Sequence, residues 1–508
     1  MTQTQPATII VRNPADGREV GTVPVDSADT VAAKARELRL FQPAWEALGA
    51  RGRRAWLLKF QCWVLDNAEH IMDTVQSETG KSRADTSFEP IAVSGLIDYW
   101  AGHAEKFLSD AHPRSWHPIA IGKRLTTVHR PYPVVGVITP WNFPFLMPGL
   151  DLVAALSAGA AVLLKPSEVT PLSAAAFVRG WNEIGAPPVL ALATGYGATG
   201  AAVIDNADCV QFTGSTATGR KVAVACAERL IPYSLELGGK DPALVLADAD
   251  LDRAVNGITW GGMFNSGQLC VSVERVYVEA PVYDEFVSRL TRKVGALRQG
   301  CDGRGWTTDI GALSTERQRE IVVRHVDGAV AAGARVLTGG NPTGAGTFFE
   351  PTVLVDVDHS MACMTEETFG PTIPVMKVAD EDEAIRLAND SAYGLSATVW
   401  TRDIERGERV ARRLDVGAVN INDVLSNGFA NEVPMGGWKN SGVGARSGGA
   451  YGILKYCRPQ VITAPRIPTP ASEPLWYPAS KRRNAVATAL LRVATSRGLR
   501  RFGITPKP

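Results

Sequence analysis

The stretch VVGVITPWNFPFLMPGLDLVAALSAGAAVLLK (134–165) decides the fold. Its two ends, VVGVIT (134–139) and AVLLK (161–165), are apolar runs of strand length, and a helical segment follows Asn142 between them. The same alternation returns at CVQFTG (209–214) and again at 274–294. Near-continuous apolar strands separated by helices are typical of parallel sheets covered on both faces. The sequence therefore predicts an α/β protein.

The composition is that of an ordinary globular protein. The 508 residues are 45% hydrophobic and 21% charged, which excludes a disordered, collagen-like or coiled-coil chain. A chain of this length predicts about two to four domains. The net charge of +1 gives no electrostatic argument for a nucleic-acid binder. The seven histidines show no metal-ligand spacing, so we expect no metal site.

The sequence carries no sign of export or of a membrane span. Its seven dispersed cysteines are typical of reduced thiols in a cytosolic protein. The first residues lack the basic and apolar regions of a secretory signal. The purest apolar run, LVAALSAGAAVLL (152–164), is too short to cross a bilayer. We therefore expect a cytoplasmic protein.

The C-terminal tail differs from the rest of the chain. A proline-rich linker, RIPTPASEPLWYPAS (466–480), precedes a segment that has eight basic residues and no acidic residue after Glu473. In a helix beginning near Asn484, Val486, Leu490 and Val493 would share one face. Without these eight bases, the rest of the chain is acidic. Three interpretations of the tail stay open: a solvated tail, a segment packed on this acidic remainder in its own oligomer, or a peripheral contact with an anionic membrane.

Two glycine-rich turns are candidates for phosphate binding. GYGATG (195–200) matches the dinucleotide fingerprint literally, but no acidic residue lies in a ribose-binding strand about 20 residues further on, which favours a plain turn before a helix. FTGSTATG (212–219) closes a strand and opens a helix, where free N–H groups attract phosphate oxygens. Taken alone, this second motif is also compatible with an ordinary capped turn.

Three side chains are candidates for catalysis. Cys270 ends a helical pattern in FNSGQLC (264–270), although a lone cysteine is most often a small buried hydrophobe. Glu236 is flanked by leucines, and a desolvated glutamate can serve as a base near neutral pH. Asn142 lies between two prolines, where a rigid amide can stabilise an oxyanion. Each residue also has an ordinary structural explanation.

The order of these motifs resembles the NAD(P)-dependent aldehyde dehydrogenase superfamily over roughly residues 8–465. The resemblance is carried by ITPWNFP (138–144), LLKPSEVTP (163–171), FTGSTATG, LELGGKDP (235–242), FNSGQLC, EETFGP (366–371) and PMGGWKNSGVG (434–444). The sequence of some of these motifs is similar to that of bacterial succinate-semialdehyde dehydrogenases. The chain departs from the family at PMGG (434–437) and GVGARSGG (442–449), which puts the shape of the substrate site in doubt.

The resemblance implies the roles of individual residues. Cys270 would be the nucleophile, Glu236 the general base and Asn142 the oxyanion amide, through a thiohemiacetal and a thioester. NAD, with NADP as an alternative, would be held by Trp141, Lys165, Ser167, Glu168, Gly214, Ser215, Gly219, Leu237, Glu367 and Phe369. Glu168 can bond a ribose diol but repels a 2′-phosphate, which favours NAD.

The substrate is less well determined. An apolar pocket of Phe143, Met147, Leu150, Leu269 and Val271 favours a broad range of aliphatic or aromatic aldehydes. Succinate semialdehyde is the alternative, although it would need a cation that the sequence does not place. A CoA-acylating enzyme would need no general base, so Glu236 argues for hydrolysis. A non-enzymatic, membrane-docked scaffold is the alternative from another class.

The resemblance also implies a domain organisation. A Rossmann-like NAD-binding domain would comprise 1–112 and 132–238, and an α/β catalytic domain 239–438. A small β element for oligomerisation, 113–131 and 439–465, would include a pairing strand at 452–464. The linker and basic tail, 466–508, would follow. A homodimer or homotetramer is expected.

Overall fold

The computed structural model describes residues 7–117, 120, 122–444, 447–466, 468, 471–473, 476–497 and 502. Its helices are α1 (Ala28–Ala47), α2 (Gly49–Asp66), α3 (Ala68–Thr79), α4 (Arg83–Leu108), α5 (Leu146–Ala158), α6 (Pro171–Glu183), α7 (Gly197–Asn206), α8 (Thr216–Glu228), α9 (Leu251–Met263), α10 (Tyr283–Gly295), α11 (Glu316–Ala331), α12 (Ala362–Thr365), α13 (Glu381–Asn389), α14 (Ile404–Ala411), α15 (Ser426–Phe429), α16 (Gly449–Leu454) and α17 (Lys481–Thr495).

The strands alternate with these helices along the chain. They are β1 (Thr8–Arg12), β2 (Glu19–Pro24), β3 (Lys123–Pro131), β4 (Val134–Ile138), β5 (Ala161–Lys165), β6 (Leu190–Leu192), β7 (Cys209–Thr213), β8 (Tyr233–Glu236), β9 (Asp241–Val245), β10 (Val273–Glu279), β11 (Arg335–Thr338), β12 (Pro342–Thr343), β13 (Phe348–Phe349), β14 (Thr352–Val355), β15 (Thr372–Val378), β16 (Tyr393–Gly394), β17 (Ser396–Trp400), β18 (Ala418–Ile421), β19 (Trp438–Lys439), β20 (Gly442–Val443) and β21 (Cys457–Pro465).

The chain forms two compact units. The first comprises residues 1–104 and 131–456, and the second comprises 105–130 and 457–508. The division that the sequence predicts between a cofactor domain and a catalytic domain falls inside the first unit and stays a prediction.

A six-stranded sheet of the first unit has the order β20-β8-β7-β4-β5-β6. All its pairs are parallel except β20 with β8. Every residue of β4, β5 and β7 is buried, as the apolar runs predict. Helix α5 is almost entirely buried and ends at Gly159, whose φ of 101° only glycine adopts easily. This Rossmann-like sheet confirms the α/β fold class.

The other large sheet has the order β11-β14-β15-β10-β9-β17-β18. Its pairs are parallel except β11 with β14. Strand β10 is buried at every position although it contains Glu274, Arg275 and Glu279. Buried charges in a central strand need partners. The partner of Glu274 is described with the site below.

In the second unit β3 pairs with β21 as a two-stranded sheet. The pairing strand predicted at 452–464 is partly wrong, because the strand begins at Cys457 and Gly449–Leu454 is the helix α16. Within α16, Gly452 leaves no room for a side chain beside the Trp100 ring, which suits close helix packing. The tail helix also begins earlier than Asn484, because Ser480 caps it and accepts the Arg483 N–H.

Candidate active site

The predicted site residues follow the carboxyl ends of neighbouring parallel strands. Asn142 follows β4, Lys165 ends β5, Ser215 follows β7 and Glu236 ends β8. The carboxyl ends of parallel strands meet at one edge of a sheet, where α/β proteins bind ligands. The six-stranded sheet therefore brings together residues that are up to 94 positions apart between Asn142 and Glu236.

Cys270 follows a tight turn at the end of α9. Asn265 and Ser266 in this turn have left-handed backbones, with φ of 54° and 55°. The turn is closed by the Asn265 amide, which donates to the Gln268 carbonyl at 2.9 Å, and by the Gln268 amide, which donates to the Asn265 carbonyl at 3.0 Å. Cys270 itself is half-buried, so its thiol lies on a rigid support and still has solvent access.

Asn142 contacts this turn directly. Its side-chain Nδ2 donates to the Gln268 carbonyl at 3.0 Å, and the Asn265 amide donates to the Asn142 carbonyl at 3.0 Å. An asparagine amide has two N–H groups, and the bond to Gln268 uses only one. The other can donate to an oxyanion formed beside Cys270.

Glu236 is buried, with 1% of its surface exposed. Its backbone carbonyl accepts the Gly214 N–H at 3.0 Å, which joins the end of β8 to the glycine-rich turn after β7. Three residues on, a Cβ at Gly239 would lie under 3.0 Å from the carbonyl oxygen of Cys270. The segment after the glutamate is therefore pressed against the backbone of the cysteine.

The cofactor candidates on the sheet lie at the capped start of α8 and at the end of β5. Ser215 caps α8 by accepting the Thr218 N–H at 3.4 Å, and a Cβ at Gly219 would overlap Leu237. Lys165 lies 3.5 Å from the half-exposed Glu168, and burial lowers the pKa of the lysine. The predicted residue between them, Ser167, accepts the Val169 N–H at 3.2 Å.

Glu367 and Phe369 approach this edge from the segment before β15. Phe369 packs edge-on to Trp141, with ring centroids 5.4 Å apart and planes at 86°. Glu367 accepts the Gly239 N–H at 3.0 Å. Burial, with a smaller repulsion from Glu274, raises the pKa of Glu367 to about 8. Glu367 is thus tied to the segment that carries Glu236, and Phe369 packs on the segment that carries Asn142.

An aromatic cluster lies before the cysteine. The ring of Phe264 is 5.7 Å from that of Phe143, 5.6 Å from Phe88 and 5.4 Å from Trp260. Phe429 extends the cluster, 4.7 Å from Phe88. Of these five rings the sequence identified only Phe143.

The remaining predicted pocket residues differ in position. Met147 and Leu269 are buried and Leu150 is half-buried. Val271 borders a small cavity that Asp241 and Ser396 also line. The structure therefore places Val271 beside β9 and β17.

Two buried ion pairs support the site, and the sequence identified neither. Lys81 is bonded to Glu89, and Lys240 to Glu274. Glu274 lies in a strand that is otherwise mostly apolar. A glutamate in such a strand is the sequence feature that could have identified the second pair. Nothing in the pattern around Glu89 distinguishes it from a surface residue of α4.

In the part of the chain that the structure describes, no three His, Cys, Asp or Glu residues are arranged to hold a metal ion. The same residues include no helix that is both long and apolar enough to cross a membrane.

Comparison with known proteins adds an independent finding. Residues 1–462 match the family described as the aldehyde dehydrogenase family. A Mycolicibacterium smegmatis protein, provisionally named a succinate-semialdehyde dehydrogenase using NADP(+), is 40% identical over 474 residues, which is 91% of each chain. A 4,4'-diapolycopene aldehyde oxidase from a Methylomonas species is 40% identical over 93% of this chain and 88% of its own length.

The solved structures agree with the sequence comparisons. A structure from Anabaena variabilis, provisionally named aldehyde dehydrogenase PutA, is similar with a TM-score of 0.88 and 37% identity. The similarity covers 92% of this chain and 100% of the other.

Proposed function

Because the chain belongs to the aldehyde dehydrogenase family, we propose that its oxidation of an aldehyde to the acid, with NAD or NADP, is carried out by Cys270, Asn142 and Glu236. The contact between Asn142 and the turn before Cys270 carries this proposal. An amide donor bonded to the turn two residues before the candidate nucleophile supports the proposal, because a carbonyl oxygen would become negative near it.

The first half of the reaction uses Cys270 and Asn142. The Cys270 thiolate attacks the aldehyde carbon, and the amide of Asn142 with the backbone N–H of Cys270 stabilises the oxyanion of the thiohemiacetal. The candidate cofactor residues would hold NAD(P), which would supply the acceptor for the hydride that leaves that carbon. A thioester to Cys270 then remains.

The second half of the reaction uses Glu236. This buried carboxylate removes a proton from water, and the hydroxide attacks the thioester carbon. The carbon–sulfur bond breaks, which releases the carboxylic acid and the Cys270 thiolate. An enzyme that passed its acyl group to CoA would have no use for this base.

The nucleophile has a direct test. Cys270→Ala should abolish aldehyde oxidation, measured as NADH absorbance, and leave cofactor binding intact. The matched control is Cys62→Ala, because Cys62 is an exposed cysteine outside the site. Retained turnover in the Cys270 variant would refute the assignment.

We propose the site for the cofactor because the residues present fit one. A capped helix with a glycine that leaves no room for a side chain suits a pyrophosphate, and the Trp141–Phe369 pair suits a flat ring. Glu168 favours NAD over NADP through repulsion of a 2′-phosphate. Equal kcat/KM with the two cofactors would contradict this preference, which differs from the NADP(+) in the name of the mycobacterial relative.

We propose that the substrate is an apolar aldehyde. The aromatic cluster lies directly before the nucleophile, and apolar surfaces gain roughly 25 cal/mol per Å² on burial. The buried cation Lys81 lies 3.8 Å from the Phe143 ring but is bonded to Glu89 at 2.6 Å, so it is already neutralised. The name of the Methylomonas relative, a 4,4'-diapolycopene aldehyde oxidase, gives a substrate other than succinate semialdehyde.

The alternative substrate is succinate semialdehyde, as the name of the mycobacterial relative suggests. A survey of kcat/KM over aliphatic, aromatic and carboxylated aldehydes distinguishes the two. We expect the apolar aldehydes to be preferred. A preference for succinate semialdehyde over an uncharged aldehyde of equal length would overturn the proposal.

We also propose that the chain assembles as a homodimer or homotetramer and that its tail contacts an anionic membrane surface. Arg483, Val486, Leu490 and Val493 follow one another at spacings of three and four, so they share a face of α17. The three apolar side chains are 59%, 63% and 49% exposed. An exposed apolar stripe beside an arginine suits an anionic bilayer.

The tail is tested with the full-length protein and a chain ending at Ala464. Full-length protein should sediment with anionic vesicles at low salt and be released at high salt, because salt screens exposed charges. The shortened protein should remain soluble and active. Equal sedimentation would refute the membrane contact, and a changed oligomeric state would show that the tail binds a second copy instead. Arg500, Arg501 and Lys507 lie outside the described residues.

A further inference from the structure

Glu89 holds the chain between Asn142 and the start of α5. Its Oε2 accepts the backbone N–H groups of Phe145 and Leu146, both at 2.9 Å. Its Oε1 accepts a hydrogen bond from Lys81 Nζ at 2.6 Å, and neither side chain of this pair is exposed. The carboxylate therefore caps a helix whose first turn begins four residues after the oxyanion amide.

Glu274 holds the segment of Glu367 and Phe369 in the same manner. Its two oxygens accept the backbone N–H groups of Thr368 at 2.7 Å and Phe369 at 2.8 Å. Lys240 Nζ donates to the same carboxylate at 2.7 Å. The lysine is unexposed and the glutamate side chain is 4% exposed. Phe369 is held in a left-handed backbone, with φ of 52°.

The two arrangements share one design. In each, a buried glutamate binds two consecutive backbone N–H groups with one carboxylate and is neutralised by one buried lysine. A buried ion pair contributes little net stability, because the desolvation of two charges offsets their attraction. Charged hydrogen bonds to backbone, however, fix the position of the bonded segment closely.

We infer that the two glutamates are positioning residues with separate tasks. Glu89, with Lys81, sets the position of Asn142 and so acts on the chemistry at Cys270. Glu274, with Lys240, sets the position of Glu367 and Phe369 and so acts on cofactor binding. The inference rests on the proposed roles of those site residues.

The experiment compares Glu89→Gln with Glu274→Gln in two assays. Hydrolysis of p-nitrophenyl acetate without cofactor uses Cys270, Asn142 and, for release of the acyl group, Glu236, but it does not use the cofactor site. The KM for NAD in aldehyde oxidation measures the cofactor site. Glu89→Gln should lower kcat in both reactions by about tenfold or more and leave the KM for NAD within about twofold. Glu274→Gln should raise the KM for NAD by about tenfold and leave ester hydrolysis within about twofold.

Each variant is the control for the other. Parallel losses in both assays by both variants would show a merely structural role and overturn the inference, as would unchanged values in both. If a single variant fails to fold, it is replaced by the double variant Lys81→Met/Glu89→Gln or Lys240→Met/Glu274→Gln, which leaves no unpaired charge. Each double variant must then show the effects on kcat and on the KM for NAD that are expected of its single variant. Ester hydrolysis that survives in Cys270→Ala would instead refute the proposed function.

Discussion

Gly239 offers a sharp test of how closely the site is packed. A Cβ at this position would lie under 3.0 Å from the carbonyl oxygen of Cys270, which is backbone and cannot rotate away. Ordinary contact needs about 3.5 Å, so Gly239→Ala must displace the cysteine by about 1 Å. A displacement of this size at a reacting group costs about 10²-fold in rate. We therefore expect kcat for aldehyde oxidation to fall about 100-fold while the protein stays folded.

Its neighbour provides a matched comparison. A Cβ at Gly238 would instead meet the carboxylate oxygens of Glu367, which is the end of a flexible side chain. Gly238→Ala should therefore raise the KM for NAD more than it lowers kcat. As a control, Gly95→Ala on an exposed position of α4 meets nothing within 4 Å. It should stabilise the protein by about 0.5–1 kcal/mol and leave kcat unchanged. A folded Gly239→Ala variant with near-normal kcat would refute the packing argument.

Three further outcomes are expected. Asn142→Ala should lower kcat by about 10²–10³, the loss for one oxyanion donor, measured at saturating aldehyde. Lys81→Met leaves Glu89 charged and buried, so chemical denaturation should show a loss of about 3–5 kcal/mol that Lys81→Met/Glu89→Gln partly restores. Burial raises the pKa of Glu367 from 4.5 to about 8. The protonated side chain therefore contributes its full stability to the cofactor-free protein below pH 4.5, and this contribution is lost as the pH rises through 8. Glu367→Gln should therefore flatten stability against pH in this range.

The sequence predicts the elements whose pattern is local. The strands β4, β5 and β7 coincide with apolar runs, and GYGATG forms a turn at its first two residues and opens α7 with the rest, as the missing acidic residue indicates. The start of α17 was missed by three residues because Ser480, a cap, lies in the proline-rich segment. The pairing strand was placed too early because α16 is too short to show a helical period.

The site could be predicted only where a motif marks it. Asn142 and Cys270 belong to motifs, and the structure bonds Asn142 to Gln268, two residues before Cys270. The aromatic cluster combines four segments that are distant in the chain, so no local pattern shows it. Glu89 was missed because sequence periodicity does not show that a carboxylate is desolvated and bonded to the backbone of another element.

The most direct test of the central claim is the time course of NADH formation by Glu236→Gln. If Cys270 forms the thioester and Glu236 activates the water that hydrolyses it, the first turnover needs no base at this position. A burst of about one NADH per active site should then survive, followed by very slow steady turnover. If the burst is lost together with the steady rate, Glu236 is required before the thioester forms, and the division of labour between these two residues is wrong.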